Sequence, residues 1–153
     1  MQVEVTGTRI AAMSEIDINE INRDVVVQFR ANEGKADEGR FAGTDLLLLH
    51  HKGAKSGEWR INPLMYLMDG DRYVVFASRN GGPQHPDWYH NLVAHPEIEL
   101  EVGRERFPAR AVVTTGAERQ RVWAQCVAQR AFLTDHAARA YPREIPVICL
   151  ERK

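Results

Sequence analysis

Lys52, Lys55 and Arg60 straddle a glycine-flanked turn, Gly53-Ala54-Lys55-Ser56-Gly57, set between two apolar runs. Backbone amides in such a turn can approach an anion closely, and the cations reinforce that concave geometry. Arg79, after a third apolar run, could point to the same place. The turn fails as a nucleotide-triphosphate loop. That motif needs a glycine directly before its lysine and a helix after it, whereas Ala54 precedes Lys55 and a strand pattern follows. From these residues alone, an anion cradle and a solvated hairpin tip both remain open.

Other reactive side chains form no recognisable constellation. His85, His90 and His95 recur every five residues, about 140° apart on a helix, and Pro86 and Pro96 confine any helix to the middle one. His50 and His51 on a strand point to opposite faces. No chelating pair results, so no metal site is expected. Ser56 and Ser78 could be nucleophiles, but no G-x-S-x-G surrounds either, and nothing pairs them with a particular histidine.

A chain of 153 residues with 44 % apolar and 27 % charged content has the size and composition of one soluble domain. The net charge of -1 gives no case for nucleic-acid binding. Charge is nevertheless uneven: residues 1–49 carry nine acids and five Lys or Arg, and residues 50–153 carry twelve and fifteen. A basic excess in the loop-bearing part suits a small anionic ligand better than a polymer. Cys126 and Cys149 lie far apart in apolar contexts and read as buried thiols of a reducing cytoplasm, with no signal-peptide pattern in view. No apolar run approaches the ~18–20 residues that span a bilayer.

The elements that must position these residues follow from periodicity. Residues 1–13 show no clear period. Ser14 and Asp17 resemble a capping box, and Ile18, Ile21, Val25 and Phe29 form one stripe at helical spacing, fading by Asn32 to Gly34. This amphipathic helix could touch a membrane, but its carboxylates disfavour anionic lipid, and packing on the domain is the preferred reading. A polar linker covers Lys35 to Thr44. Residues 1–43 are therefore read as an N-terminal segment and 44–153 as the main domain. Leu46–His50 reads as a strand buried on both faces. Ile61–Met68 and Arg72–Ser78 flank Asp69-Gly70-Asp71 as a hairpin, with Pro63 marking an edge or bent strand. Pro86 opens a short helix reaching Ala94. Ile98–Val102 and Phe107–Thr114 form a second hairpin about Gly103-Arg104, a longer helix runs from Thr115 or Gly116 to Phe132, and Ile145–Leu150 is the last strand. Six short antiparallel strands with three helical segments predict an α+β fold built on a small barrel.

Motif order carries more than spacing. Gly53, Lys55, Ser56, Gly57, Arg60, Asn62, Pro63 and Leu64 spell G-x-K-S-G-x-x-R-x-N-P-L. They are followed by Asp69-Gly70, Ala77-Ser78, Gly81-Gly82, P-x-W-Y-x-N-L over 86–92 and A-x-P-x-I-x-L-x-V over 94–102. From Leu46 to Val147 this series resembles the deazaflavin (coenzyme F420)-dependent nitroreductase family. The resemblance implies a small antiparallel split β-barrel of the FMN-binding type, often a homodimer, with an N-terminal helix and a helix inserted before the last strand. It implies hydride transfer from reduced coenzyme F420 to a quinone-like, enone or nitro acceptor. Lys55 and Arg60 would bind the anionic tail, helped by Lys52, Ser56 and Arg79. Asn62 and Pro63 would shape the groove, Ala77 and Ser78 would face the ring, and Trp88 and Asn91 would close the site. Ser78 would be the catalytic hydrogen-bonding residue. Members that reduce nitro drugs carry several tyrosines after the long helix, where this chain has Gln129 to His136 and then Tyr141. The acceptor pocket is thus rebuilt, with Tyr66, Arg130, Phe132 and His136 as its expected side chains. Two rival readings are an FMN-dependent oxidoreductase on the same barrel and a non-catalytic deazaflavin carrier.

Overall fold

The computed structural model describes residues 22–32 and 45–153. Strand β1 (Leu46–Lys52) opens with four leucines, each at most 1 % exposed. Alternation sends Leu47 and Leu49 inward, to a core shared with Val75, Leu92, Leu100 and Ile148. Leu46 and Leu48 face outward and meet Val25 and Phe29 of helix α1 (22–31). The strand is therefore buried on both faces, as its continuous apolar run predicts. Each buried leucine contributes roughly 1.5–3 kcal/mol. Val25 and Phe29, with Val26 beside them, are spent on this sheet while Val27 stays exposed, and Arg30 fixes the helix by a bidentate contact to Glu101. The predicted helix start at Ser14, the unpatterned residues 1–13 and the linker lie outside the described residues, apart from the helix's last turns.

Among the described residues, seven strands form one antiparallel sheet in the order β2-β1-β5-β6-β7-β4-β3. They are β1, β2 (Trp59–Met65), β3 (Leu67–Asp69), β4 (Arg72–Phe76), β5 (Glu97–Val102), β6 (Glu105–Val113) and β7 (Val147–Arg152). The single strand expected over Ile61–Met68 is two. β2 pairs with β1 and β3 pairs with β4, at opposite edges of the sheet. Only Tyr66 separates them, so the two edges must approach each other and the sheet curls into a barrel. Pro63 lies in edge strand β2, where its missing N–H costs no ladder bond. Both predicted hairpins form. Gly70 (φ 64°) and Gly103 (φ 58°) each take the first of two loop positions in a left-handed conformation that a side chain would disfavour.

Helix α2 (Asp87–Ala94) follows Pro86 as expected. Helix α3 (Gly116–Gln129) stops three residues short of the predicted end, and a further helix, α4 (Phe132–Ala140), follows it. Leu133 and Ala140 are buried and Ala137 partly so, in a second outer cluster with Val122, Cys126, Val147 and Cys149. Burial pushes both free thiols up to about 11, which keeps them protonated packing groups. Among the described residues no helix is long and apolar enough to cross a membrane.

Candidate active site

The loop between β1 and β2 is closed on itself. Gly53 N–H donates to the Glu58 carbonyl (2.8 Å), Gly57 N–H to the Gly53 carbonyl (3.0 Å), and Glu58 N–H to Ser56 Oγ (3.1 Å). A side chain at Gly53 would place its Cβ 2.4 Å from Ser56 Oγ and would push that hydroxyl away from its bond with Glu58 N–H. Ala54 N–H donates to Asn91 Oδ1 (2.8 Å). Of this loop's amides, those of Lys55 and Ser56 have no hydrogen-bond partner among the described residues. Lys55 and Arg60 are exposed, Lys52 is half-buried, and none forms an ion pair among the described residues. Two open amides beside unneutralised cations form a donor set suited to a phosphate. Lys52 also lines a separate cavity of about 630 Å³ on the outer face of the sheet, with His50, Trp59 and Arg106.

Beneath the loop runs a buried polar chain. Asn91 Nδ2 donates to His51 Nδ1 (3.0 Å), and His51 Nε2 donates to Asn62 Oδ1 (2.8 Å). His51 is 1 % exposed and Asn91 is 8 % exposed. This order of donors requires a neutral imidazole with its proton on Nε2. Burial holds the His51 pKa below the ordinary histidine value, with Arg60 acting in the same direction, against the opposing bond to Asn62. The network ties helix α2, strand β1 and strand β2 to the cationic loop.

A second loop leaves β4 at Phe76. Ala77 is fully buried, and its N–H donates to the Pro146 carbonyl (3.1 Å). Ser78 is half-buried, with Oγ 3.3 Å from His136 Nδ1. Arg79 (φ 48°), Asn80 (φ 55°) and Gly81 (φ 81°) are successive left-handed residues, a conformation costing roughly 1–2 kcal/mol for each non-glycine. At Gly81 a Cβ would lie 2.7 Å from Arg139 Cβ and 2.8 Å from the His136 carbonyl oxygen, because α4 packs directly on this turn. Arg143 closes the loop from the other side through Ala77, Ser78, Gly82 and His85. Burial and the Arg143 charge hold His85 below the ordinary histidine value.

The fold brings several predicted residues together. Ser78 meets His136, and Phe132 lies edge-on to the His136 ring with centroids 5.1 Å apart. Asn62 and Asn91 share His51. Arg79 is exposed on the Ser78 loop. Trp88 is 7 % exposed and belongs to the inner core with Ala77, the packing role common for an aromatic at a helix start. Pro63 is buried in β2. Two further predicted residues have other partners. Tyr66 packs on Tyr73 at the barrel closure (5.3 Å between centroids), and Arg130 is exposed at the end of α3, donating to the Gln129 carbonyl. Sequence reasoning missed the roles of His51 and Arg143 and the whole of α4. Only α4 left a signal, the 133-137-140 spacing of small and apolar residues. Among the described residues no group of three His, Cys, Asp or Glu could hold a metal ion.

A curled antiparallel sheet with helices outside and two glycine-bearing loops at one helix defines a split β-barrel with a cofactor-type site. Residues 21–152 match the model of the F420H(2)-dependent quinone reductase family, and the chain belongs to that family. It is 35 % identical over 127 residues to an F420H(2)-dependent quinone reductase of Mycobacterium tuberculosis, covering 82 % of this chain and 85 % of that one. Among solved structures it is similar to an F420-H2 dependent reductase (33 % identity, TM-score 0.63, 69 % of this chain and 93 % of that one). A structure described as a domain-swapped dimer is also similar (28 % identity, TM-score 0.65, 87 % and 98 % covered).

Proposed function

We propose that the protein is a reductase that uses reduced coenzyme F420 to reduce a quinone-like acceptor. The observation that carries this reading is the donor set on a closed glycine loop: the Lys55 and Ser56 amides and the Lys55 and Arg60 side chains, which have no hydrogen-bond or ion-pair partner among the described residues. An anionic cofactor tail fits it, and family membership supports the deazaflavin as that cofactor. When bound, the deazaflavin supplies hydride from its C5 carbon, which leaves the protein to bind, orient and exclude water. Lys55 and Arg60 hold the tail, with Lys52, Ser56 and Arg79 at its margin. Asn62 and Asn91 act through His51, keeping the loop closed. Ser78 faces the ring, while Ala77, fully buried, backs it from the core together with Trp88.

Ser78 Oγ donates a hydrogen bond to the ring or to the oxygen that gains charge on the acceptor. His136, 3.3 Å behind it, can return a proton to that hydroxyl. Phe132 offers an apolar wall beside His136. Tyr66, packed on Tyr73, and Arg130, exposed at the end of α3, are the weakest members of the acceptor side. Ser78→Ala should reduce turnover roughly three- to tenfold, the cost of one neutral hydrogen bond. Unchanged cofactor affinity and unchanged turnover with a quinone panel would remove Ser78 from the site.

A homodimer is the proposed assembly, supported by the similar domain-swapped dimer. Sedimentation should give about twice the 17.4 kDa chain mass, and a species at the chain mass alone would contradict it.

A further inference from the structure

We propose that Arg143 is a positioning residue for the ring-facing loop, holding Ala77 and Ser78 in place through backbone carbonyls; this rests on the deazaflavin reading above. Every N–H-bearing nitrogen of its guanidinium is used. Nε donates to the Gly82 carbonyl (3.0 Å). Nη1 donates to the Ala77 carbonyl (3.0 Å) and to His85 Nδ1 (2.7 Å). Nη2 donates to the carbonyls of Ser78 (2.7 Å) and Gly82 (2.8 Å). The acceptors bracket the Arg79–Gly81 turn, whose left-handed Arg79 and Asn80 would relax if unsupported. The same fork reaches helix α2 through His85, two residues before its first turn. One planar cation thus ties the two ends of the loop to each other and to the residue before α2, while Arg139 Nε donates to the Asn80 carbonyl between them (3.3 Å).

The choice of arginine follows from geometry. A lysine ammonium is a single nitrogen that could at best replace Nη2 between Ser78 and Gly82, and it could not also reach the Ala77 carbonyl and His85 as Nη1 does. All the acceptors are neutral, and Arg143 has no carboxylate partner among the described residues, although it is half-buried and has Arg79 close enough to disfavour its charge. An arginine serving only stability would be better matched by a counter-ion. Here the uncompensated charge lies under Ala77 and Ser78, where an anionic or charge-accepting group on the loop's other side would feel it.

The test uses Arg143→Met and Arg143→Lys in the full chain. Four quantities are read: affinity for reduced coenzyme F420 by tryptophan fluorescence, KM and kcat with a quinone, amide exchange at 77–82, and the His85 titration by NMR without cofactor. Arg143→Met should weaken cofactor affinity by about tenfold or more, the loss expected for charged hydrogen bonds. It should lower kcat, speed exchange at 77–82 ahead of the barrel strands, and raise the His85 titration toward the ordinary value. Arg143→Lys should restore little, whereas added guanidinium should restore part of the affinity in the Met variant. Wild-type affinity, kcat and exchange in either variant would overturn the proposal. Should the Met variant fail to fold, the Lys variant decides by the same readings. If wild-type protein binds no deazaflavin, the cofactor reading falls, while exchange and the His85 titration still judge Arg143.

Discussion

His51 binds the two halves of the cationic loop's foundation and can do so only when neutral, because its Nδ1 must accept from Asn91 while its Nε2 donates to Asn62. Protonation would set two donors against each other in a buried site. The sign of the pH dependence follows. The unfolded chain binds this proton near the ordinary value of 6.5, and the folded chain binds it only at lower pH. Stability from this group is complete above about pH 6.5 and is lost as pH falls toward the depressed folded value, at a slope of up to about 1.4 kcal/mol per pH unit. Melting temperature should therefore fall from pH 7.5 to pH 5, and His51→Gln should flatten that slope. An equal slope in the variant would assign the effect to other groups. At this scale the sequence was legible where one segment holds all its partners: Lys55, Ser56 and Arg60 stand together. His51 and Arg143 were illegible as to role, since Asn91 lies 40 residues from His51 and Ala77 lies 66 from Arg143. No local pattern distinguishes them from any other histidine or arginine.

Helix α2 joins the two loops. His85 before it is gripped by Arg143, and Asn91 within it holds Ala54 and His51. Its position was readable from Pro86 and Pro96, because proline acts locally. The break at Tyr66 was not, because Ile61–Met68 is a continuous strand by composition and only the partners on each side divide it. Helix α4 was overlooked because Arg130 and Ala131 interrupt the stripe of α3 without a glycine or proline. The turn under α4 stores strain at Arg79, which glycine would relieve. Arg79→Gly should raise the melting temperature slightly, by a gain of about 0.5–1 kcal/mol, while weakening cofactor binding through the lost cation. A variant that is destabilised would show that contacts of the Arg79 side chain outweigh its backbone conformation.

At the largest scale the described residues form a barrel filled by one inner cluster and covered outside by two others, under α1 and under α3 with α4. The barrel class was foreseeable from hairpins and alternation. Its closure depended on two edge strands meeting at one residue, which strand patterns do not encode. Purified protein should be titrated with reduced coenzyme F420 and with reduced FMN, following tryptophan fluorescence and then oxidation of the bound cofactor on adding a quinone. The deazaflavin should bind more tightly and be oxidised by the quinone, and Lys55→Ala with Arg60→Ala should lose roughly tenfold or more in affinity, a loss that shrinks as salt rises. Tighter binding of FMN, or deazaflavin binding without oxidation by any quinone, would contradict the proposed function.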